Sequence, residues 1–314
     1  MRVKTIGPAR RDMLVLFKDR RGHLGALDLV GPETRHRSLL RLIEWVDAEL
    51  GLPPFGPLLL HTKDRPVCTA EQPWRAYSFC TAATHLDVPV PDFVFGGWPE
   101  VGIDDYDQTC RSLAAAGASP AERPVVGWIG SLGTHPVRVD LHRIGSEHPA
   151  LFDVQQLEWG PRNLDGTQLQ TVTGQHLSLA EQAARWGALI DVEGAGYSGR
   201  LKLLLHAGRP VLVQERPWHE WWHDALQPME HFIPVRRDLA DLAERAHWVQ
   251  ENPKEAAAIG AAGQALAQRL LTRAAAAERW VSVVAAHDGA AGPWASPEVS
   301  ADLGAVLAGM SETG

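Results

Sequence analysis

The sequence predicts an α/β fold in two lobes with a cleft between them, followed by C-terminal helices. Three observations carry this expectation. The 314-residue chain is long enough for roughly two domains. From Val125 to Gln250, short apolar runs alternate with amphipathic stretches, as in a parallel sheet covered by helices on both faces. Within that region Gly187 to Glu215 reads as strand, glycine turn, helix, glycine stop, strand. The expected boundaries are residues 1–122 for an N-terminal α/β lobe, 123–270 for a Rossmann-like lobe, and 271–314 for a helix and a loose tail.

Each element has its own local reason. Met13–Phe17 and Leu24–Val30 flank a basic, glycine-containing turn and form a hairpin. Leu39, Leu42, Ile43, Val46 and Leu50 recur at helical spacing and predict a helix over 35–50, stopped at Gly51. Leu58–Leu60, Tyr77–Cys80 and Asp92–Phe95 read as short strands, and Asp104–Ala116 as a helix with acidic residues at its start. After a linker over Ala118–Pro124, Val125–Trp128 is a strand and Gly130–Thr134 a turn of small residues. Pro136 opens a helix that runs over Val137–Ile144. Leu151–Val154 is a strand. A polar section with little pattern follows, as far as Leu177. Ser178 and Glu181 form a Ser-x-x-Glu capping box for a helix ending at Trp186. Ala188–Val192 is a strand, and Ser198 caps a helix bearing Leu201, Leu204 and Leu205. Gly208 ends that helix, and Val211–Val213 is the next strand. Trp218–Leu226 reads as an aromatic helix, His231–Val235 as a strand, and Asp238–Gln250 as a helix. Pro253–Ala286 is a helical stretch broken near Thr272, with a loose tail from His287.

Composition narrows the function classes. A net charge of −8 argues against a general nucleic-acid binder. Three cysteines without CxxC spacing fit a reducing compartment. The apolar run Met13–Phe17 is too short for a signal-peptide core, and no run reaches the ~18 residues of a membrane span. The expectation is a soluble, cytoplasmic protein.

Two stretches carry the chemistry. Gly194–Gly199 satisfies G-x-G-x-x-G between a strand and a helix, with Glu215 about 20 residues on, which is the context of a dinucleotide site. Arg200 and Lys202, however, sit in the first helical turn. A cation there opposes the helix dipole and makes sense if an anion occupies that end. Trp128–Arg138 repeats the design: strand, small turn, helix start, arginine. The Ser131 and Thr134 hydroxyls can donate to phosphate oxygens, and Arg138 can bind bidentately. Two such ends in one sheet suit a nucleoside diphosphate that carries a leaving group. The carboxylates Asp92, Glu100, Asp104, Asp105 and Asp107 supply candidates for a general base. His219-Glu220-Trp221-Trp222-His223 matches H-E-x-x-H, but the segment is short and Pro228 soon follows it, so no metal site is expected.

The run Glu193, Tyr197–Lys202, Leu204–Leu205, Pro210–Val213, Trp218, Trp221–Trp222, Leu226–Pro228 and His231–Val235 resembles glycosyltransferase family 90. That family includes protein O-glucosyltransferases, capsule-associated xylosyltransferases and bacterial lipopolysaccharide-modifying enzymes. Trp128-x-Gly130-Ser131-x-x-Thr134-x-Pro136-x-Arg138 is similar to another motif of the family, with Ile129 in place of its usual arginine. The resemblance covers about 125–270. It implies a GT-B-like fold of two Rossmann-type lobes, the first on the acceptor side and the second binding the nucleotide sugar. It also implies an inverting, metal-independent transfer from a UDP-sugar to a hydroxyl of a glycan, lipopolysaccharide or capsule acceptor, with no further cofactor. By match, Ser131, Thr134, Arg138, Ser198 and Arg200 hold the diphosphate, with Glu193, Tyr197 and Lys202 near the nucleoside or sugar. The implied partners are the nucleotide-sugar donor and a glycan or lipid-linked glycan acceptor, with peripheral membrane association and no nucleic acid. At the position of the family's catalytic aspartate this chain has Gly97, ahead of Trp98-Pro99. The base then falls to Glu100, Asp104 or Asp105, with the Asp104–Asp105 pair preferred, or the chain is a non-catalytic nucleotide-sugar binder. An NAD-dependent oxidoreductase using Gly194–Gly199 and Glu215 is the other alternative.

Overall fold

The structure is a computed structural model that describes residues 1–5, 12–71, 76–162, 168–171 and 177–287. The expected loose tail lies almost wholly outside the described residues.

The first lobe contains β1 (Arg2–Thr5), β2 (Met13–Lys18), β3 (Leu24–Asp28), α1 (Glu33–Leu50), β4 (Phe55–His61), β5 (Tyr77–Ser78), β6 (Val88–Pro89) and α2 (Tyr106–Gly117). Its sheet runs β1-β3-β2-β4-β5-β6. The hairpin β2–β3 and the β2–β4 pairing are antiparallel, while β4, β5 and β6 run parallel. Side-chain alternation decides the layers. Leu14 and Leu16 of β2 face the main core with Leu39, Leu42 and Val46 of α1, whereas Met13 and Val15 point to a smaller cluster on the other face. Strand β1 has no apolar pattern of its own and is held by parallel pairing to β3.

The second lobe contains β7 (Arg123–Gly130), α3 (Pro136–Glu147), β8 (Phe152–Gln156), the pair β9 (Glu158–Arg162) and β10 (Gln168–Thr171), α4 (Leu179–Arg185), β11 (Trp186–Asp191), α5 (Leu201–Leu205), β12 (Val211–Gln214), β13 (Ile233–Val235), α6 (Leu242–Glu251) and α7 (Pro253–Leu270). Five strands form a sheet in the order β13-β12-β11-β7-β8, every neighbouring pair parallel. Both faces are buried: Trp186 and Leu189 of β11 enter the main core, and Ala188 and Ile190 enter a second one under α3, α6 and α7. The chain order reverses direction between β7 and β11, which makes the crevice at their C-terminal ends the topological switch point of this sheet. The two lobes face each other across a cleft, as the sequence leads one to expect.

Two expected elements take another form. Asp92–Phe95 is not a strand; Phe93–Gly96 makes one 3-10 turn capped by Asp92, whose Oδ1 accepts the Val94 N–H at 3.2 Å. A Cβ on Gly96 would sit 2.0 Å from the Ser38 carbonyl oxygen, so this turn is pressed directly onto the backbone of α1. Trp218–Leu226 is not an aromatic helix, since only His223–Ala225 forms a 3-10 turn. Its side chains are drawn apart by tertiary partners: Trp218 to Glu193, Glu220 to Lys202, and the His219 backbone to Thr81. The capping box of Ser178 and Glu181 forms as expected.

The last helix, α8 (Arg273–Ala286), returns to the first lobe. Trp280 is fully buried in the main core, the Arg273 guanidinium lies 4.2 Å from the centroid of Trp45 on α1, and the Tyr77 hydroxyl meets His287 Nδ1 at 3.0 Å. Helix α2 packs on α4 and α5 of the second lobe, while Tyr106 stacks on Phe95 of the first at 4.7 Å. Among the described residues no helix is long and apolar enough to cross a membrane.

A Cβ placed on Gly117 at the end of α2 would lie 1.7 Å from the Ala207 carbonyl oxygen. Gly117→Ala is therefore expected to lower unfolding free energy by about 1–3 kcal/mol through forced separation of α2 from α5. Urea denaturation followed by circular dichroism measures this, and an unchanged midpoint would show that the close approach is not rigid.

Candidate active site

A cleft of about 950 Å³ lies between the lobes at the ends of β7 and β11. Its second-lobe wall is built from Gly130, Ser131, Thr134 and Arg138 after β7, and from Gly194, Ala195 and Tyr197–Arg200 after β11. Its first-lobe wall includes Thr34, Arg35, Lys63–Arg65, Phe93, Trp98 and Glu100.

Two guanidiniums dominate the second-lobe wall. Arg138 Nε donates to the Glu193 carbonyl at 3.0 Å and Nη1 to the Ser131 carbonyl at 3.1 Å, so it ties the two phosphate-type turns together. Arg200 Nη1 donates to the Ile129 carbonyl at 2.8 Å. Both lie over the buried Trp128 indole, at 5.5 and 5.7 Å from its centroid. The ring face stabilises cations that have lost water. The arrangement is costly without an anion. Burial, reinforced by the like charge of Arg200, holds the Arg138 guanidinium below its usual range, to about 10. Burial lowers Arg200 as well, with the Asp191 carboxylate opposing that shift. A ligand carrying two negative charges at this point favours the charged form of both guanidiniums.

Asp191, wholly buried at the end of β11, organises the turn. It accepts the Ser198 hydroxyl at 2.7 Å, pairs with Arg216, and lies 3.9 Å from Arg200 Nε. The Ser198 proton is thus directed to Asp191, and a contact from this hydroxyl to phosphate requires it to turn away. Glu193 stands just behind the cleft wall. Its Oε1 accepts the Trp218 indole N–H at 2.7 Å, and its Oε2 is buried without a hydrogen-bond partner among the described residues.

The glycines of G-x-G-x-x-G have other duties than approaching a pyrophosphate. A Cβ on Gly196 would fall 1.8 Å from the Asp64 carbonyl oxygen, and one on Gly199 would meet Val94 and Trp98 of the first lobe at 3.2 and 3.3 Å. These glycines let the turn pack against the opposite lobe. The Tyr197 N–H donates to the Asp64 carbonyl at 3.0 Å, and Arg65 Nε donates to the Ala195 carbonyl at 2.5 Å. Glu215 is exposed.

Of the expected site residues, Ser131, Thr134, Arg138, Tyr197, Ser198 and Arg200 come together on the cleft. Lys202 does not. Its ammonium is fully buried behind the turn, 3.0 Å from Asp92 Oδ2 and 2.8 Å from Glu220 Oε2, where it cannot touch a nucleoside or sugar. Asp104 and Asp105 are exposed and do not line the cleft; Asp105 caps α2 by accepting the Gln108 N–H at 2.6 Å. The carboxylates that do line it are Glu33, Asp64 and Glu100. Glu33 pairs with Arg37, and Asp64 pairs with Arg35 at 2.8 Å, while Glu100 accepts a hydrogen bond from the Thr34 hydroxyl. Arg35, Lys63, Asp64 and Arg65 carry no motif in the sequence, because only the meeting of the lobes gives them a role.

Residues 40–286 match the family described as glycosyl transferase family 90. The chain is 37% identical over 82 residues to human protein O-glucosyltransferase 3, covering 26% of this chain and 16% of that protein. It is 26% identical over 245 residues to uncharacterized protein 027R of Frog virus 3 (isolate Goorha), covering 66% of this chain and 25% of that one. Among solved structures it is similar to Anabaena Alr3699/HepE in complex with UDP, at 11% identity and a TM-score of 0.36, over 60% of this chain and 46% of that chain. The chain thus spans less than half the length of each of these proteins.

If the paired guanidiniums form an anion site, inorganic pyrophosphate at about 100 times its Kd should stabilise the protein by about 2.7 kcal/mol. The readout is a thermal melt, with a rise of a few degrees expected. Arg138→Gln combined with Arg200→Gln should abolish the rise, and its persistence in that variant would place the anion elsewhere.

Proposed function

The chain belongs to glycosyl transferase family 90, and from that premise we propose that it transfers a sugar from a UDP-sugar donor to an acceptor hydroxyl in the interlobe cleft. The observation that carries this reading is the pair Arg138 and Arg200 over Trp128 at the switch point. Two fixed positive charges in a desolvated wall suit a diphosphate leaving group, whose negative charge grows as the glycosidic bond breaks. They supply the charge compensation that a divalent cation supplies elsewhere, so the transfer is read as metal-independent.

The base is assigned to Glu100. It lies on the first-lobe wall, across the cleft from the arginines, and accepts a hydrogen bond from the Thr34 hydroxyl. Asp64 is instead held in a direct ion pair with the Arg35 guanidinium at 2.8 Å, which acts on Glu100 only at longer range. Glu100 takes the proton of the acceptor hydroxyl, the acceptor oxygen bonds to the anomeric carbon, and the bond from that carbon to the diphosphate breaks to release UDP. Attack from the face opposite the leaving group inverts the anomeric centre. The acceptor is read as a glycan or a lipid-linked glycan, with Trp98 on the cleft wall as an aromatic surface for a sugar ring. The sparse cysteines Cys68, Cys80 and Cys110, without CxxC spacing, support a cytoplasmic location. The dehydrogenase alternative loses its support where Gly196 packs on Asp64 rather than opening toward a ligand.

Each of Arg138→Ala and Arg200→Ala is expected to weaken UDP binding about 10- to 100-fold, since a charge-assisted hydrogen bond contributes roughly 1.5–3 kcal/mol. Isothermal calorimetry tests this, and wild-type affinity in both variants would remove the diphosphate site. Glu100→Gln should cut kcat by about 100-fold or more while leaving the Kd for UDP within about twofold. Full turnover in that variant, with UDP-sugar hydrolysis or transfer as the assay, would assign the base elsewhere. The anomeric configuration of the product, read by proton NMR, tests inversion.

A further inference from the structure

Behind the turn that holds the diphosphate lies a buried cluster that the transfer reaction does not use. Lys202 of α5 directs all three of its ammonium N–H groups inward: to Asp92 Oδ2 at 3.0 Å, Glu220 Oε2 at 2.8 Å and the Gly199 carbonyl at 3.3 Å. Asp92 Oδ2 also accepts the Tyr197 hydroxyl at 2.7 Å. The side chains of Asp92, Lys202 and Glu220 are no more than 1% exposed. Asp92 belongs to the first lobe, Lys202 and Tyr197 to the second, and Glu220 to the loop bearing Trp218, which bonds Glu193. The cluster therefore grips the donor-binding turn at Tyr197, through Asp92 of the first lobe, and at Gly199, through Lys202 of the turn's own lobe.

The charges do not balance. Two carboxylates share one ammonium, and the further side-chain group at hydrogen-bond range of Glu220, the Trp222 indole, is neutral. A dry site does not hold the surplus negative charge without cost, so a proton is the simplest compensation. We propose that Asp92, Lys202 and Glu220 form a positioning device for the donor turn, and that its grip depends on one proton held by Glu220. This rests on the UDP-sugar reading above.

The surroundings leave Glu220 as the group that exchanges that proton. Burial pushes its carboxyl up to about 7, with the Lys202 ammonium pulling down and the Asp92 carboxylate pushing up. Lys202 is itself raised, by Asp92 and Glu220 acting against burial. Burial keeps the other facing groups neutral: Tyr197 and Tyr106 are raised well above the usual phenol range, Cys80 is raised, and His223, whose Nδ1 accepts the Glu220 N–H at 3.0 Å, is lowered well below the usual imidazole range. Because the folded value of Glu220 lies above its ordinary 4.5, the folded protein keeps a proton that the unfolded chain has lost between these values. The stabilising contribution is present at the acidic end of that window and is lost as pH rises through about 7. Loss of the proton makes two full carboxylates compete for Lys202, weakens its bond to Gly199, and adds negative charge behind a site for an anion. Donor affinity then falls.

The probe is UDP-glucose, whose diphosphate is esterified at both ends and keeps a constant charge near neutrality. Calorimetric titration of the full chain from about pH 5.5 to 8.5 should show Kd rising about tenfold, with proton uptake on binding above about pH 7 when buffers of different ionisation enthalpy are compared. Glu220→Gln should bind with the low-pH affinity of the wild type and with a flat profile. That comparison assigns the pH dependence to Glu220 rather than to another group near the donor turn. Asp92→Asn, which leaves one carboxylate per ammonium, should move the midpoint down by about one pH unit or more. A flat profile in the wild type, or the same slope in Glu220→Gln, overturns the proposal while leaving the donor site intact. No binding of UDP-glucose at any pH would overturn the donor reading, and this proposal with it.

Discussion

The Lys202 ammonium in the seam between the lobes is the constraint on which the rest of the structure depends. A buried cation is tolerated only when its partners are in place, and removing one partner of such a set typically costs about 3–5 kcal/mol. Here the partners come from three separate stretches of chain: Asp92 before the 3-10 turn, Gly199 in the donor turn, and Glu220 in the tryptophan-rich loop. Their convergence explains local conformations that propensity does not. The 3-10 turn at Phe93–Gly96 forms where a strand would carry Asp92 away, and the loop 215–226 stays irregular because a helix would not deliver Trp218 and Glu220 to different targets.

In front of that seam the charge pattern reverses. Arg138 and Arg200 lie where the parallel sheet changes direction, each anchored by backbone carbonyls and backed by the same indole. Anchoring matters more than the number of charges. A guanidinium held by carbonyls does not reorganise when charge develops on a leaving group, so its stabilisation is available in full at that moment. The lobes contribute unequally: the second supplies fixed cations from turns after sheet strands, whereas the first supplies a mixed set of ions from the start of α1 and from loops.

Much of this was legible in the sequence, and what was not has a common cause. The parallel sheet, α1, the capping box at Ser178 and the arginines after two small-residue turns are local signals, each set by periodicity or by residues a few positions apart. Arg138 and Arg200 could be read because a cation at a helix start contradicts the dipole and demands an explanation. Lys202 carries the same local signature and sits in the opposite environment, since two positions turn a side chain about 200° around a helix axis, from the cleft to the seam. The acidic run Asp104–Asp105 is attractive by composition, yet its place is a helix start, and the carboxylate of this region that reaches the cleft, Glu100, is a few residues earlier on a 3-10 turn. Asp64 and Arg65 had no signal at all, because their contacts to Ala195 and Tyr197 join residues about 130 positions apart.

The return of α8 to the first lobe bears on the order in which the protein is made. The second sheet and its helices are contiguous from Arg123 to Leu270 and hold a core of their own. The first lobe is not self-sufficient in the same way. Trp280, Val283 and Val284 complete its core, and His287 bonds to Tyr77 and Pro57 across more than 200 residues. Domains usually fold in the order in which they leave the ribosome. In this chain the first lobe's core lacks the side chains of Trp280, Val283 and Val284 until residues 273–287 have been synthesised.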